Sequence, residues 1–173
     1  MPAQYALRDQ VDQLLLAQKE ILGAPEWNTG AYSGQYRWLA PLGFGGTVTP
    51  LNLIVDAFPR SDDLHFNILI THGRCVMRLE YWSQSRHNNH RVGRPPLPAG
   101  IPAGWIRGPH CHHWRENRAL ATARTLPIEL EFAAPLPVTV RGFHAAFRWF
   151  CGEANIICAS NQEPNLPTSD TLL

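Results

Sequence analysis

The sequence predicts an α+β domain: an antiparallel sheet of five to six strands, an N-terminal and a C-terminal helix, and a long Pro/Gly-rich loop. Three patterns predict it. Apolar residues recur at helical spacing near the start of the chain and again near its end. Between them, short segments alternate apolar and polar residues at strand period. A proline-rich stretch with no period then interrupts the alternation.

In order, Leu7, Val11, Leu14, Leu15, Ile21 and Leu22 share one stripe, broken only by Gln18, and predict a helix from Leu7 to Leu22. Gly23 and Pro25 stop it. Tyr36–Leu42 reads as a strand, with Pro41 at an edge or end. Leu51–Phe58 alternates, as do Leu64–Ile70 and Cys75–Trp82, and Thr71-His72-Gly73-Arg74 joins the last two as a hairpin. The meander ends at Trp82. From Ser83 to Pro109 there is a loop with Pro95, Pro96, Pro98, Pro102 and Pro109. Trp114–Arg124 favours a short helix. Pro127–Phe132 and Val138–Arg141 read as strands, and Phe143–Phe150 as a helix with its phenylalanines on one face. Residues 1–160 make a single α+β domain, and 161–173 read as a polar, frayed tail.

Composition narrows the class. With 45% hydrophobic and 17% charged residues the chain is globular, not disordered. No apolar run is long enough to span a bilayer, and the N-terminus lacks a signal pattern. Both absences predict a cytoplasmic protein without membrane partners. Cys75, Cys111, Cys151 and Cys158 form no CxxC; Cys75 and Cys151 read as core thiols, while Cys111 sits among histidines. Charge is polarised. Leu64–Ile128 holds nine arginines against Glu80 and Glu116, and seven of the eight histidines, whereas the rest of the chain is acidic. A basic middle predicts an anionic partner such as RNA or another polyanion.

The chemistry concentrates in Gly108-Pro109-His110-Cys111-His112-His113-Trp114-Arg115, with His87-Asn88-Asn89-His90 upstream. If His110-Cys111-His112 is extended, His110 and His112 point to the same side. Imidazoles move protons near neutral pH or bind metals. The candidate catalytic residues are His87, His90, His110 and His112. Arg91, Arg94, Trp105, Arg107, His113, Trp114 and Arg115 are candidates for gripping phosphate or stacking on bases. GxSxG, P-loop and GxGxxG motifs are absent. The basic segment has no carboxylate pair, which argues against two-metal nuclease chemistry.

The order of these motifs is also informative. A strand precedes His87-Asn88-Asn89, and Gly108-Pro109-His110-Cys111-His112-His113-Trp114 follows a loop. Phe147-Arg148-Trp149-Phe150-Cys151 then leads to Asn155-Ile156. From Tyr36 to Ile157 the chain thus resembles a family of uncharacterised bacterial and phage domains of unknown function, common on mobile elements. It departs from that pattern in Trp114, where tyrosine is expected, and in a longer insertion before Gly108. The resemblance implies no activity, only that the histidines act as a unit.

Four readings stay open. One is metal-free phosphodiester cleavage of RNA, with histidines as acid and base. The second is a zinc site formed by His87, His90, His110 and His112, with Cys111 as a substitute ligand; no cofactor is needed otherwise. The third is a non-enzymatic binding or inhibitory module for nucleic acid or a host protein, using the same basic His/Arg/Trp surface. The last is a packed histidine cluster with no ligand. The expectation drawn from them is a nucleic-acid-directed protein, of the mobile-element type that the resemblance implies, acting as a ribonuclease-like phosphodiesterase or, alternatively, as a non-enzymatic binding or inhibitory module.

Overall fold

Alternating sequence becomes strand wherever the run is long. The computed structural model describes residues 6–59, 63–89 and 96–167. Its long strands are β3 (Tyr36–Phe44), β4 (Thr47–Ala57), β5 (Phe66–His72) and β6 (Arg74–Tyr81), an antiparallel meander. Shorter strands extend it: β1 (Lys19–Ile21), β2 (Trp27–Thr29), β9 (His110–His112), β10 (Ala134–Pro135) and β11 (Ile156–Ile157). The sheet runs β10-β9-β6-β5-β4-β3-β1-β11, with β2 also on β3. Among the described residues it therefore has nine strands, not five to six. The additional strands are two or three residues long, too short for alternation to reveal. All pairings are antiparallel except β1 with β11.

Among the described residues three α-helices accompany the sheet: α1 (Leu7–Leu16), α2 (Trp114–Asn117) and α3 (Gly142–Glu153). One sheet face meets them. The cross-strand row Trp38, Val55, Ile68, Leu79, Cys111 lies in a core shared with Val11 of α1 and with Phe143, Phe147 and Phe150 of α3. The next row, Arg37, Asp56, Asn67, Glu80, His110, points to the other face, because side chains alternate. Arg37 and Asp56 there form a two-pronged ion pair, at 2.7 and 2.8 Å.

The first helix is shorter than its stripe predicts. It stops at Leu16, because the fully buried Lys19 turns its Nζ back onto the carbonyls of Leu14, Leu15 and Ala17, at 2.8, 2.9 and 2.7 Å. Carbonyls at a helix C-terminus lack intrahelical donors. Ile21, expected on the helix, is buried as a strand residue of β1. Burial pushes the Lys19 ammonium down to about 8. Lys19→Met strands three carbonyls, and we expect it to cost about 3 kcal/mol in urea unfolding; a loss below about 0.5 kcal/mol would show that water caps the helix equally well.

Other segments also differ from expectation. The helix predicted for Trp114–Arg124 is one α-turn followed by a 3-10 turn at Arg118–Leu120. Pro127–Phe132 forms no strand: Ile128 is exposed while Leu130 and Phe132 are buried. Val138–Arg141 is likewise not a strand, and Val140 N–H closes a turn on Pro137 O. The loop after Trp82 contains a separate hairpin, β7 (Arg86–Asn88) with β8 (Trp105–Arg107). The tail is docked through residue 167: Gln162 bonds Ile21 O, Glu163 pairs His144 and Arg148, and Trp27 bonds Asn165 O.

Candidate functional site

The site forms on the sheet face turned away from the helices. In β9, alternation sends Cys111 into the core and both His110 and His112 to the opposite side. Pairing with β6 sets His110 beside Glu80 and His112 beside Arg78. The β7–β8 hairpin supplies His87, whose neighbour across the ladder is the buried Ile106. Ring centres lie 5.6 Å apart for His87–His110, 4.6 Å for His87–His112 and 5.2 Å for His110–His112. One ligating atom from each ring lies within 4.8 Å of the others.

Hydrogen bonds fix two of the tautomers. His110 Nδ1–H donates to Gly108 O at 2.9 Å, and His87 Nε2–H donates to Glu131 O at 2.8 Å. A carbonyl only accepts, so a neutral ring keeps its other nitrogen as a lone pair. Backbone carbonyls orient metal-binding histidines in the same way. His112 Nε2 accepts from Arg78 Nη2 at 3.2 Å, and His112 Nδ1 has no partner of ordinary geometry. The same Arg78 nitrogen lies 2.8 Å from Glu80 Oε1. Glu80 Oε2 accepts from Ser85 Oγ at 2.9 Å and stands 3.6 Å from His110 Nε2.

These spacings suit a small cation. Rings bound through nitrogen to one tetrahedral zinc have centres about 5 Å apart, and two ligand atoms about 3.4 Å apart. The 3.6 Å between His110 Nε2 and Glu80 Oε2 is too long for a hydrogen bond, so Glu80 stands beside the imidazoles without occupying the His110 lone pair. Electrostatics also suit it. Burial, then Arg78 and the neighbouring imidazoles, hold His112 well below the usual imidazole value. Burial holds His87 down as well, against the Glu131 backbone contact and Glu80. Neutral imidazole is the metal-binding form. Arg78 opposes a metal, since its guanidinium occupies the His112 lone pair. It serves as the cation of the metal-free site.

The predicted residues separate into three groups. His87, His110 and His112 come together. His90, Arg91 and Arg94 lie outside the described residues. His113, Trp114 and Arg115 belong to the helix side, because β9 ends at His112 and the chain turns into α2. His113 packs on Trp149 and faces Glu153, the Trp114 indole donates to Asp12, and Arg115 pairs with Glu116. Trp105 and Arg107 lie on the outer face of the hairpin, exposed, beyond Ile106. Cys111 is no ligand, since it faces the core. Burial also pushes all four free thiols up, Cys75 to about 11. Arg78, Glu80 and Ser85 were missed. Alternation places Arg78 and Glu80 on one face of their strand, but only the β6–β9 register brings them to the histidines.

Acid should destabilise the metal-free protein. His65, His87, His112 and His113 are all lowered from 6.5, chiefly by burial. Below about pH 6.5 the unfolded chain binds more protons than the folded one, so this stability is complete above that pH and is lost below it. We expect Tm to fall between about pH 7 and 5, with a smaller fall in His112→Gln; an unchanged Tm would mean that the rings protonate in place.

No helix among the described residues is long and apolar enough to cross a membrane. Compared with protein-family models, curated proteins and solved structures, the chain has no match.

Proposed function

We propose that His87, His110 and His112 hold a zinc-class divalent ion and that the protein is a metal-dependent hydrolase of phosphate esters. One observation carries this reading: three converging imidazoles, two of them oriented by backbone carbonyls, beside an anchored carboxylate. Three histidines plus an open position is the ligand set of hydrolytic zinc sites. Glu80 flanks that position and serves as the base. A water oxygen attacks phosphorus and the bond to the leaving oxygen breaks. The water proton passes to Glu80 and on to the leaving oxygen. Arg78 supplies positive charge beside the phosphate.

The metal-free version of this chemistry has less support, because it needs a protonated acid and burial keeps His87 and His112 neutral. A second reading has its own observation. His110 is 1% and His112 0% exposed, which favours a site that anchors the hairpin of a non-enzymatic binding module. Cleavage of a short RNA with and without zinc distinguishes the two. We expect turnover that chelation abolishes, and a Glu80→Gln variant that keeps its ion but loses about 10²–10⁴-fold in kcat. Binding without cleavage at any zinc concentration would select the module.

A further inference from the structure

We infer that the outer face of the β7–β8 hairpin, with the cavity at its base, binds a nucleoside phosphate within single-stranded nucleic acid. This inference names the substrate class for the reading above and rests on it. The ladder places Arg86 directly opposite Arg107, and both are exposed. Like charges facing each other across a ladder repel, and no acidic side chain among the described residues pairs with either. An anion between them relieves the repulsion, and two guanidinium forks match phosphate oxygens.

Aromatic surface lies on both sides of this pair. Trp105, 66% exposed, precedes Arg107 by two residues on the same side of β8, about 7 Å along the strand. That span is comparable to the reach of a nucleotide from phosphate to base. On the other side, Trp82, Ser85, Arg86 and Arg107 line a cavity of about 460 Å³. Trp82 ends a stack of three rings, with Phe58–His65 centres 4.2 Å apart and His65–Trp82 centres 4.7 Å apart. A rigid ring at a cavity wall is a platform for a base. Buried Ser85, on the cavity wall, donates to Glu80, so the cavity borders the residue beside the histidines. Ser83, on the cavity wall, donates to Asp63. Among the described residues neither it nor any other acid pairs with the two arginines.

The test is fluorescence anisotropy with a labelled eight-nucleotide single-stranded RNA in EDTA, so that binding is read without metal. We expect Arg86→Ala/Arg107→Ala to weaken binding at least about thirtyfold and to lower the log–log salt slope by about 1.4, the share of two phosphates. Trp105→Ala should cost between about fivefold and a hundredfold. Arg74→Ala, at the exposed β5–β6 turn, should change binding less than twofold. Competition by adenosine monophosphate at the same concentration as the strand would assign the site to free nucleotides; much weaker competition would assign it to a strand. Equal loss from Arg74→Ala and the double variant, or no RNA or nucleotide binding by wild type, would overturn the inference. Neither result touches the metal reading, and RNA binding that survives in a metal-less His112→Ala variant leaves this inference standing by itself.

Discussion

Replacing Asn117 by alanine is expected to lower stability by about 3 kcal/mol, a large loss for one polar side chain. The residue is fully buried at the end of α2. Its amide donates to His113 O and Phe132 O, both at 2.8 Å, and accepts from Phe132 N at 2.8 Å. Asn89 does the same one residue further along. Its amide donates to Ala133 O and accepts from Ala133 N, both at 2.9 Å, and also donates to Pro102 O at 2.8 Å. Phe132 and Ala133 thus have their backbones paired by two side-chain amides in place of a neighbouring strand. Alanine leaves buried backbone groups without partners, and each costs roughly 1–3 kcal/mol. Asn117→Asp should be no better, because a carboxylate would face two carbonyls. Urea unfolding of both variants measures this, and a loss below about 1 kcal/mol would mean that the segment finds other partners. The clamp also matters to the site, because His87 is oriented by Glu131 O, one residue before Phe132.

The second large effect concerns the ion. His112→Ala should weaken zinc binding by more than about 100-fold, since loss even of a group that only orients a ligand typically costs 10- to 100-fold. Arg78→Met should act the other way. It removes a guanidinium 3.2 Å from His112 Nε2 and frees that lone pair. A unit charge a few ångströms from a divalent ion is worth more than about 1 kcal/mol even when well screened, so affinity should rise about tenfold. Competition against a zinc-sensitive dye reads both changes. If Arg78→Met weakens binding, Arg78 holds the site open rather than competing for it.

The long strands β3 to β6 were legible because alternation over seven or more residues leaves little choice of face. The His110/His112 pair was legible for the same reason: one strand rule sends both rings to one side and Cys111 to the other. Glu80 and Arg78 were not, because their role depends on β6–β9 register, and a three-residue strand carries no register information. His113 and Trp114 looked like site residues from proximity alone, yet a strand-to-helix turn after His112 carries them to the opposite face. Lys19 looked like an ordinary helix residue because capping by a buried lysine leaves no periodic mark. Pro127–Phe132 looked like a strand because its sequence alternates, but at its end the backbones of Phe132 and Ala133 are partnered by asparagine amides.

The most direct test of the account is the metal content of untagged wild-type protein, dialysed against limiting zinc beside the His87→Ala/His110→Ala/His112→Ala variant. Cobalt can replace zinc to report ligand geometry by its visible spectrum. The account predicts one ion per wild-type chain, a tetrahedral nitrogen/oxygen cobalt spectrum, and no retained ion in the triple variant. A wild-type chain that retains no ion, or a triple variant that retains as much, would contradict it and leave Arg78 as the cation beside His112.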